Sequence, residues 1–232
     1  MMQALAEDEE LREISLDWLR RSVAYEYSYH FTWLGRPIIQ YPQDIVALQE
    51  IIWSVRPDVV VETGIARGGS LIFSASMLEL IGGDRRRVIG VDVDIREHNR
   101  VEIEAHALFH RIEMVEGSSV DPAIVEHVRG RIDPGEQVLV ILDSNHTQEH
   151  VLRELELYSP LVGAGSYVVV YDTIIELMPA EASSDRAWGP GDNPSTAVRA
   201  FLETTDRFEV DATFDRKLAL TVAPGGYLRC IR

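Results

Sequence analysis

The chain has 232 residues, 46% of them hydrophobic, enough to bury one core, and a formal net charge of -16 with a single lysine, Lys217. So acidic a surface repels phosphate backbones, which argues against nucleic acid, and no apolar run nears the ~20 residues that cross a bilayer. The acidic residues 1–10 lack the basic start of a signal peptide, so a cytoplasmic location is expected, and one cysteine, Cys230, leaves no internal disulfide or cysteine zinc site.

Residues 6–22 read as a charged amphipathic helix, followed by an aromatic stretch with Tyr25, Tyr27, Tyr29, Phe31 and Trp33. That stretch either packs as an arm on the domain or on a second subunit, or forms one wall of a substrate pocket. Residues 1–40 are therefore expected to be an addition to a single domain, 41–232, with a homo-oligomer as the expected assembly. Pro42 opens a helix that Arg56-Pro57 ends, because the residue before proline disfavours helix. Strands are expected at 59–61, 88–91, 112–115, 138–142 and 167–171, with helices at 70–80, from Asp121 to Gly130, at 147–158 and from Asn193-Pro194 to about 204. Short β-branched runs alternating with helical patterns make a doubly wound α/β sheet. The segments 208–212 and 218–222 are expected to pair as a C-terminal antiparallel hairpin, giving seven strands, since their link is too short for a crossover helix.

Chemistry collects at the carboxyl ends of these strands, where open α/β sheets bind ligands. The turn after the first strand reads Glu62-Thr63-Gly64-Ile65-Ala66-Arg67-Gly68-Gly69-Ser70. Glycines admit a ligand to the backbone and the following helix offers free N–H groups, while tight packing alone also explains a glycine-rich turn. Glu62 would repel a pyrophosphate and attract an ammonium or sulfonium. Asp92, ending the second strand, suits the two hydroxyls of a ribose. Ser118, in Glu116-Gly117-Ser118-Ser119, would lie beside an adenine or simply lead into a helix.

After the fourth strand, Asp143 and His146 reach the same mouth, and Asp172 ends the neighbouring strand. Two carboxylates beside an oxygen-bearing substrate suit magnesium, which lowers the pKa of a hydroxyl that His146 can then deprotonate. His150, one turn further, assists or binds substrate. A zinc site from His146, His150 and a carboxylate, or histidines that only cap the helix, are the rival readings. The remaining histidines read as surface or packing residues.

With the VETGIARGGS turn, IGVDVD, LDSNHTQEHV, YDT, GDNPSTAV and PGGYLR in place, the chain from about residue 41 to 232 resembles the cephalosporin hydroxylase and rhamnosyl O-methyltransferase family. The resemblance implies a Rossmann-like class I methyltransferase fold, S-adenosyl-L-methionine as cofactor and Mg2+ as metal. It implies Asp143 and Asp172 as metal ligands and His146 as the base. Gly64, Gly68, Gly69, Ser70, Glu62, Asp92, Ser118 and Asp143 are the expected cofactor-side residues, and the acceptor is expected to be a sugar or glycosylated small molecule. Such families carry a second acidic residue where this chain has Tyr171. An NAD-dependent oxidoreductase and a non-catalytic cofactor-binding subunit are the alternatives. Residues 173–192, with Trp188, read as a lid over the acceptor.

Overall fold

In the computed structural model, which describes residues 1–232, the chain begins with α1 (Met2–Ala6) and α2 (Glu9–Val23). The helix expected over 6–22 is α2, which starts only at Glu9 because Asp8 leaves helical geometry and its side chain accepts from Leu11 N at 2.9 Å to cap it, while α1 is an addition ahead of it. The aromatic stretch makes a 3₁₀ turn and then a hairpin, β1 (Phe31–Trp33) and β2 (Arg36–Ile38). Trp33 packs edge-on against Phe73 with ring centroids 4.9 Å apart and donates its indole N–H to Ser76 at 3.0 Å. The hairpin therefore sits on the main domain.

From Pro42 the units alternate: α3 (Pro42–Val55), β3 (Val59–Thr63), α4 (Gly69–Ile81), β4 (Arg87–Asp92), α5 (Glu97–Glu104), β5 (Ile112–Glu116), α6 (Pro122–Arg129), β6 (Val138–Leu142), α7 (Gln148–Tyr158) and β7 (Tyr167–Val170). Every residue of β3, β6 and β7 is buried, the mark of parallel strands covered on both faces. Two apolar clusters flank the sheet. One joins α3, α4 and the arm, and the other joins α6, α7 and α8 (Pro194–Thr204), which Asn193 opens with a capping box.

The C-terminus differs from the expected hairpin. β8 (Phe208–Val210) pairs antiparallel not with 218–222 but with β9 (Tyr227–Cys230), which inserts between β7 and β8. The sheet order is β5-β4-β3-β6-β7-β9-β8. Asp211 caps a short helix, α9 (Ala212–Lys217), and residues 218–222 form no strand. Instead Thr221 Oγ and Val222 N donate to the buried Asp44 of α3, at 2.5 and 3.0 Å, tying this segment over the sheet's end. A buried carboxylate across the fold outcompeted β pairing. No helix is long and apolar enough to cross a membrane.

Candidate active site

The turn between β3 and α4 lies against two other strand ends. Gly64 has φ +92, and a Cβ there would stand 2.2 Å from Asp143 O. Only glycine fits that crossing. Asp92 Oδ2 accepts from Ile65 N at 2.8 Å and Ala66 N at 3.1 Å, so the carboxylate expected to hold a ribose also fixes the turn. Gly68 opens α4 beside Ile103, and Gly69 presses on the arm, where a Cβ would stand 2.2 Å from Pro37 O. Close packing therefore accounts for both of these glycines. Ser118 lies partly buried in the turn after β5, whose Gly117 N donates to Asp92 O at 2.8 Å.

Glu62 faces inward. It is 1% exposed, receives a hydrogen bond from Ser70 Oγ, and burial pushes its carboxyl up to about 7. Its other oxygen has no partner, and neither do Gln40 Oε1 or Tyr171 OH. These groups line one cavity of about 10 Å³, room for about a single water. Tyr171, the departure from the family pattern, thus points into this cavity.

Asp143, His146 and Asp172 are brought together as expected, with their ligating atoms all within 4.8 Å of one another. His146 Nε2 lies 3.1 Å from Asp172 Oδ2. Desolvation, then the nearby charges of Asp172, Glu62 and Glu154, hold the Asp143 carboxyl well above the usual range. Asp172 adopts φ +57, a left-handed conformation that costs a non-glycine residue roughly 1 kcal/mol and recurs at functional sites. No lysine or arginine pairs with either carboxylate, so the cluster holds uncompensated negative charge, fitting a cation. Hard carboxylate oxygens plus room for water or substrate oxygens suit magnesium. His150 is directed elsewhere, towards Ser119 and Ser144, so the structure does not assemble the alternative zinc site.

A cleft of about 310 Å³ opens on this cluster, lined also by Ser28, Tyr29, Gln40, Tyr41 and Ala66. The arm's aromatic stretch thus provides one wall. Trp188 meets His146 edge-on, ring centroids 4.8 Å apart, and so covers the imidazole from the 173–192 segment. A larger cleft of about 430 Å³, between the N-terminal helices and residues 212–225, gathers no such cluster. Sequence reasoning missed Gln40, whose Nε2 donates to Asp143 Oδ2 at 3.0 Å. An isolated amide before Pro42 carries no signal along the chain, because its partner lies 103 residues away.

The model of the family described as Rhamnosyl O-methyltransferase/CmcI matches residues 25–231. The rhamnosyl O-methyltransferase of Mycobacterium tuberculosis is 34% identical over 201 residues, covering 85% of this chain and 77% of that protein. That of Mycobacterium leprae is 32% identical over 200 residues, 85% and 82% of the two chains. A Mg-SAM structure of CmcI aligns with TM-score 0.61 and 20% identity over 88% of this chain and 78% of that one. An O-methyltransferase from Bacillus cereus in complex with SAH aligns with TM-score 0.56 and 16% identity over the full length of both. At these identities the structural likeness is one of fold.

Proposed function

This chain belongs to the rhamnosyl O-methyltransferase/CmcI family, and from that premise we propose that it transfers the methyl group of S-adenosylmethionine to a hydroxyl of a sugar or glycosylated small molecule. The observation that carries this reading is the convergence of Asp143, His146 and Asp172 beside the turn that Asp92 holds. The curated relatives are rhamnosyl O-methyltransferases, which supports a sugar acceptor.

The residues present fit both groups. The turn 64–70, Asp92 and Ser118 would hold the cofactor across the ends of β3, β4 and β5, and Asp143 and Asp172 would hold the cation. When bound, the sulfonium supplies an electrophilic methyl and the divalent ion acidifies the hydroxyl it touches. His146 would take the hydroxyl proton, and the approach of its Nε2 to Asp172 Oδ2, 3.1 Å away, keeps the imidazole beside the carboxylates that would hold the cation. Trp188, edge-on to the imidazole, shields that ring from bulk water. Gln40 fixes one oxygen of Asp143, and no protein group donates to the other. Tyr29 and Tyr41 give the acceptor an aromatic wall, suited to the apolar faces of a sugar ring.

We further read residues 1–40 as an arm on the methyltransferase domain 41–232, and the protein as a homo-oligomer. Ile14, Trp18, Tyr25 and Leu34 are exposed on the arm, which supports subunit contact there.

Calorimetric titration with S-adenosylmethionine and S-adenosylhomocysteine, with and without magnesium, tests the cofactor reading. Micromolar binding of both is expected, with turnover of a rhamnosylated acceptor only when magnesium is present. Absence of binding to either would falsify the assignment. His146→Ala is expected to lower kcat by roughly 10³-fold while leaving cofactor affinity within twofold. Wild-type activity across neutral pH in that variant removes His146 as the base.

A further inference from the structure

Outside the acidic cluster, a second set of polar side chains lies between two strand-end turns. His150, on the first turn of α7, directs Nε2 at Ser119 Oγ (3.0 Å) after β5 and at Ser144 Oγ (3.3 Å) after β6. Ser144 Oγ donates to Glu154 Oε1 at 2.7 Å, and that same oxygen lies 3.5 Å from His150 Nε2. Glu154 is 0% exposed, and its second oxygen has no partner. Tyr158, also fully buried, donates its hydroxyl proton to Ser119 O at 2.9 Å.

Counting hydrogens fixes the direction of these bonds. The Ser144 proton is committed to Glu154, so Ser144 Oγ can only accept from His150, and Nε2 must carry a hydrogen. One N–H then spans both turns, shared between two hydroxyl oxygens. Burying a carboxyl here is costly, and an apolar side chain would fill the space under α7 more cheaply. Core packing therefore gives no reason for Glu154, whereas fixing His150 and Ser144 does. The turns it joins have different tasks. One holds Ser118 and Ser119 where the proposed cofactor's adenine would lie, and in the other Ser144 directly follows Asp143.

We propose that His150, backed by Glu154, is a positioning residue that locks the Ser119 turn to the Asp143 turn, so that seating the adenosine end of the cofactor and aligning Asp143 are coupled. The lock itself stands on geometry, while its consequence for affinity rests on the S-adenosylmethionine reading above. Neither His150 nor Glu154 touches the reacting atoms.

The two parts separate experimentally. Amide hydrogen exchange on the ligand-free protein should speed up about tenfold in both turns, 117–119 and 143–145, in His150→Ala. His150→Gln, which keeps a side-chain N–H, should recover part of the protection and guards against a variant that simply folds poorly. S-adenosylhomocysteine affinity should fall roughly tenfold in His150→Ala and in Ser119→Ala. The double variant should be no weaker than either single one, because both break the same link. A general loss of stability would not produce that coupling. Unchanged exchange in either turn overturns the lock, and losses that multiply in the double variant overturn the coupling. Turns that loosen in His150→Ala, with a wild-type protein that binds no S-adenosylhomocysteine, would keep the lock and overturn the cofactor reading.

Discussion

The two ends of the parallel sheet treat their acidic residues in opposite ways. At the amino ends, guanidinium groups meet the carboxylates: Arg87 forms a bidentate pair with Glu136 at 2.8 and 2.9 Å, Arg86 lies 3.0 Å from Asp58, and Arg111 contacts Glu79. These contacts hold the Glu79 and Glu136 carboxyls below the usual range. At the carboxyl ends the exposed Glu116 pairs with Arg100, but Glu62, Asp143, Asp172 and the nearby Asp44 have no lysine or arginine at all. Burial pushes Asp44 up to about 6 and Glu62 up to about 7, and Asp143 well above normal. One end is electrostatically finished by the chain itself; the other needs something from outside. That difference supports the proposed working end without reference to any motif.

The strongest way to break the contrast is to remove a carboxylate that awaits a partner. Asp172→Asn keeps a side chain that tolerates the left-handed backbone, so the fold should survive. Turnover should nevertheless drop on the order of 10³-fold, about 4 kcal/mol of transition-state stabilisation, with S-adenosylhomocysteine affinity within twofold. Steady-state kinetics beside calorimetry reads both. Full activity in this variant would take the cation site away from Asp172.

The contrast also predicts opposite pH responses. A carboxyl whose folded pKa is raised contributes stability that is present below its unfolded pKa and lost as pH rises through the folded one. For Asp44 and Glu62 that loss falls between about pH 4 and 7. Glu136, whose pKa is lowered, contributes stability present above the ordinary carboxylate range and lost only as pH falls further. Urea unfolding of the ligand-free protein should therefore show lower stability at pH 8 than at pH 5. Glu62→Gln should remove part of that slope, at most roughly 3 kcal/mol. A slope untouched by Glu62→Gln would mean that the buried carboxyl is already compensated.

The smallest effect concerns the finished end. Arg87→Met should cost about 1–2 kcal/mol of stability, since Glu136 stays largely buried without its partner, yet leave kcat unchanged. A drop in kcat there would show that the two ends are coupled after all.

Much of this was legible in the sequence, and the reason differs by region. The parallel strands and the Asn193 cap announce themselves by local periodicity and capping chemistry, which need no partner elsewhere. The cluster of Asp143, His146 and Asp172 was legible because strand ends of a doubly wound sheet converge by topology. What failed did so through distant partners. Residues 218–222 carry a strand-like pattern, but Asp44, 177 and 178 positions away, holds them out of the sheet. The helix α5 has charged residues and few apolar ones, so no stripe marks it, although Ile103 is fully buried. Gln40 and the inward turn of Glu62 were equally invisible, because neither depends on its neighbours in sequence.

The contact of Gly69 with Pro37 has a consequence for how such proteins diversify. Because the hairpin of the N-terminal segment seats directly on the turn ahead of α4, that segment cannot be exchanged between relatives as a detachable module. A recombinant that imports a foreign N-terminal segment to change acceptor preference must keep the backbone path at Pro37 and Ile38, or it will displace the turn beneath. Residues 28–29 are free of that constraint and can vary with the acceptor, whereas Tyr41 is buried and hydrogen-bonded to Ser22. The junction divides the segment into a part bound to inherit and a part free to drift.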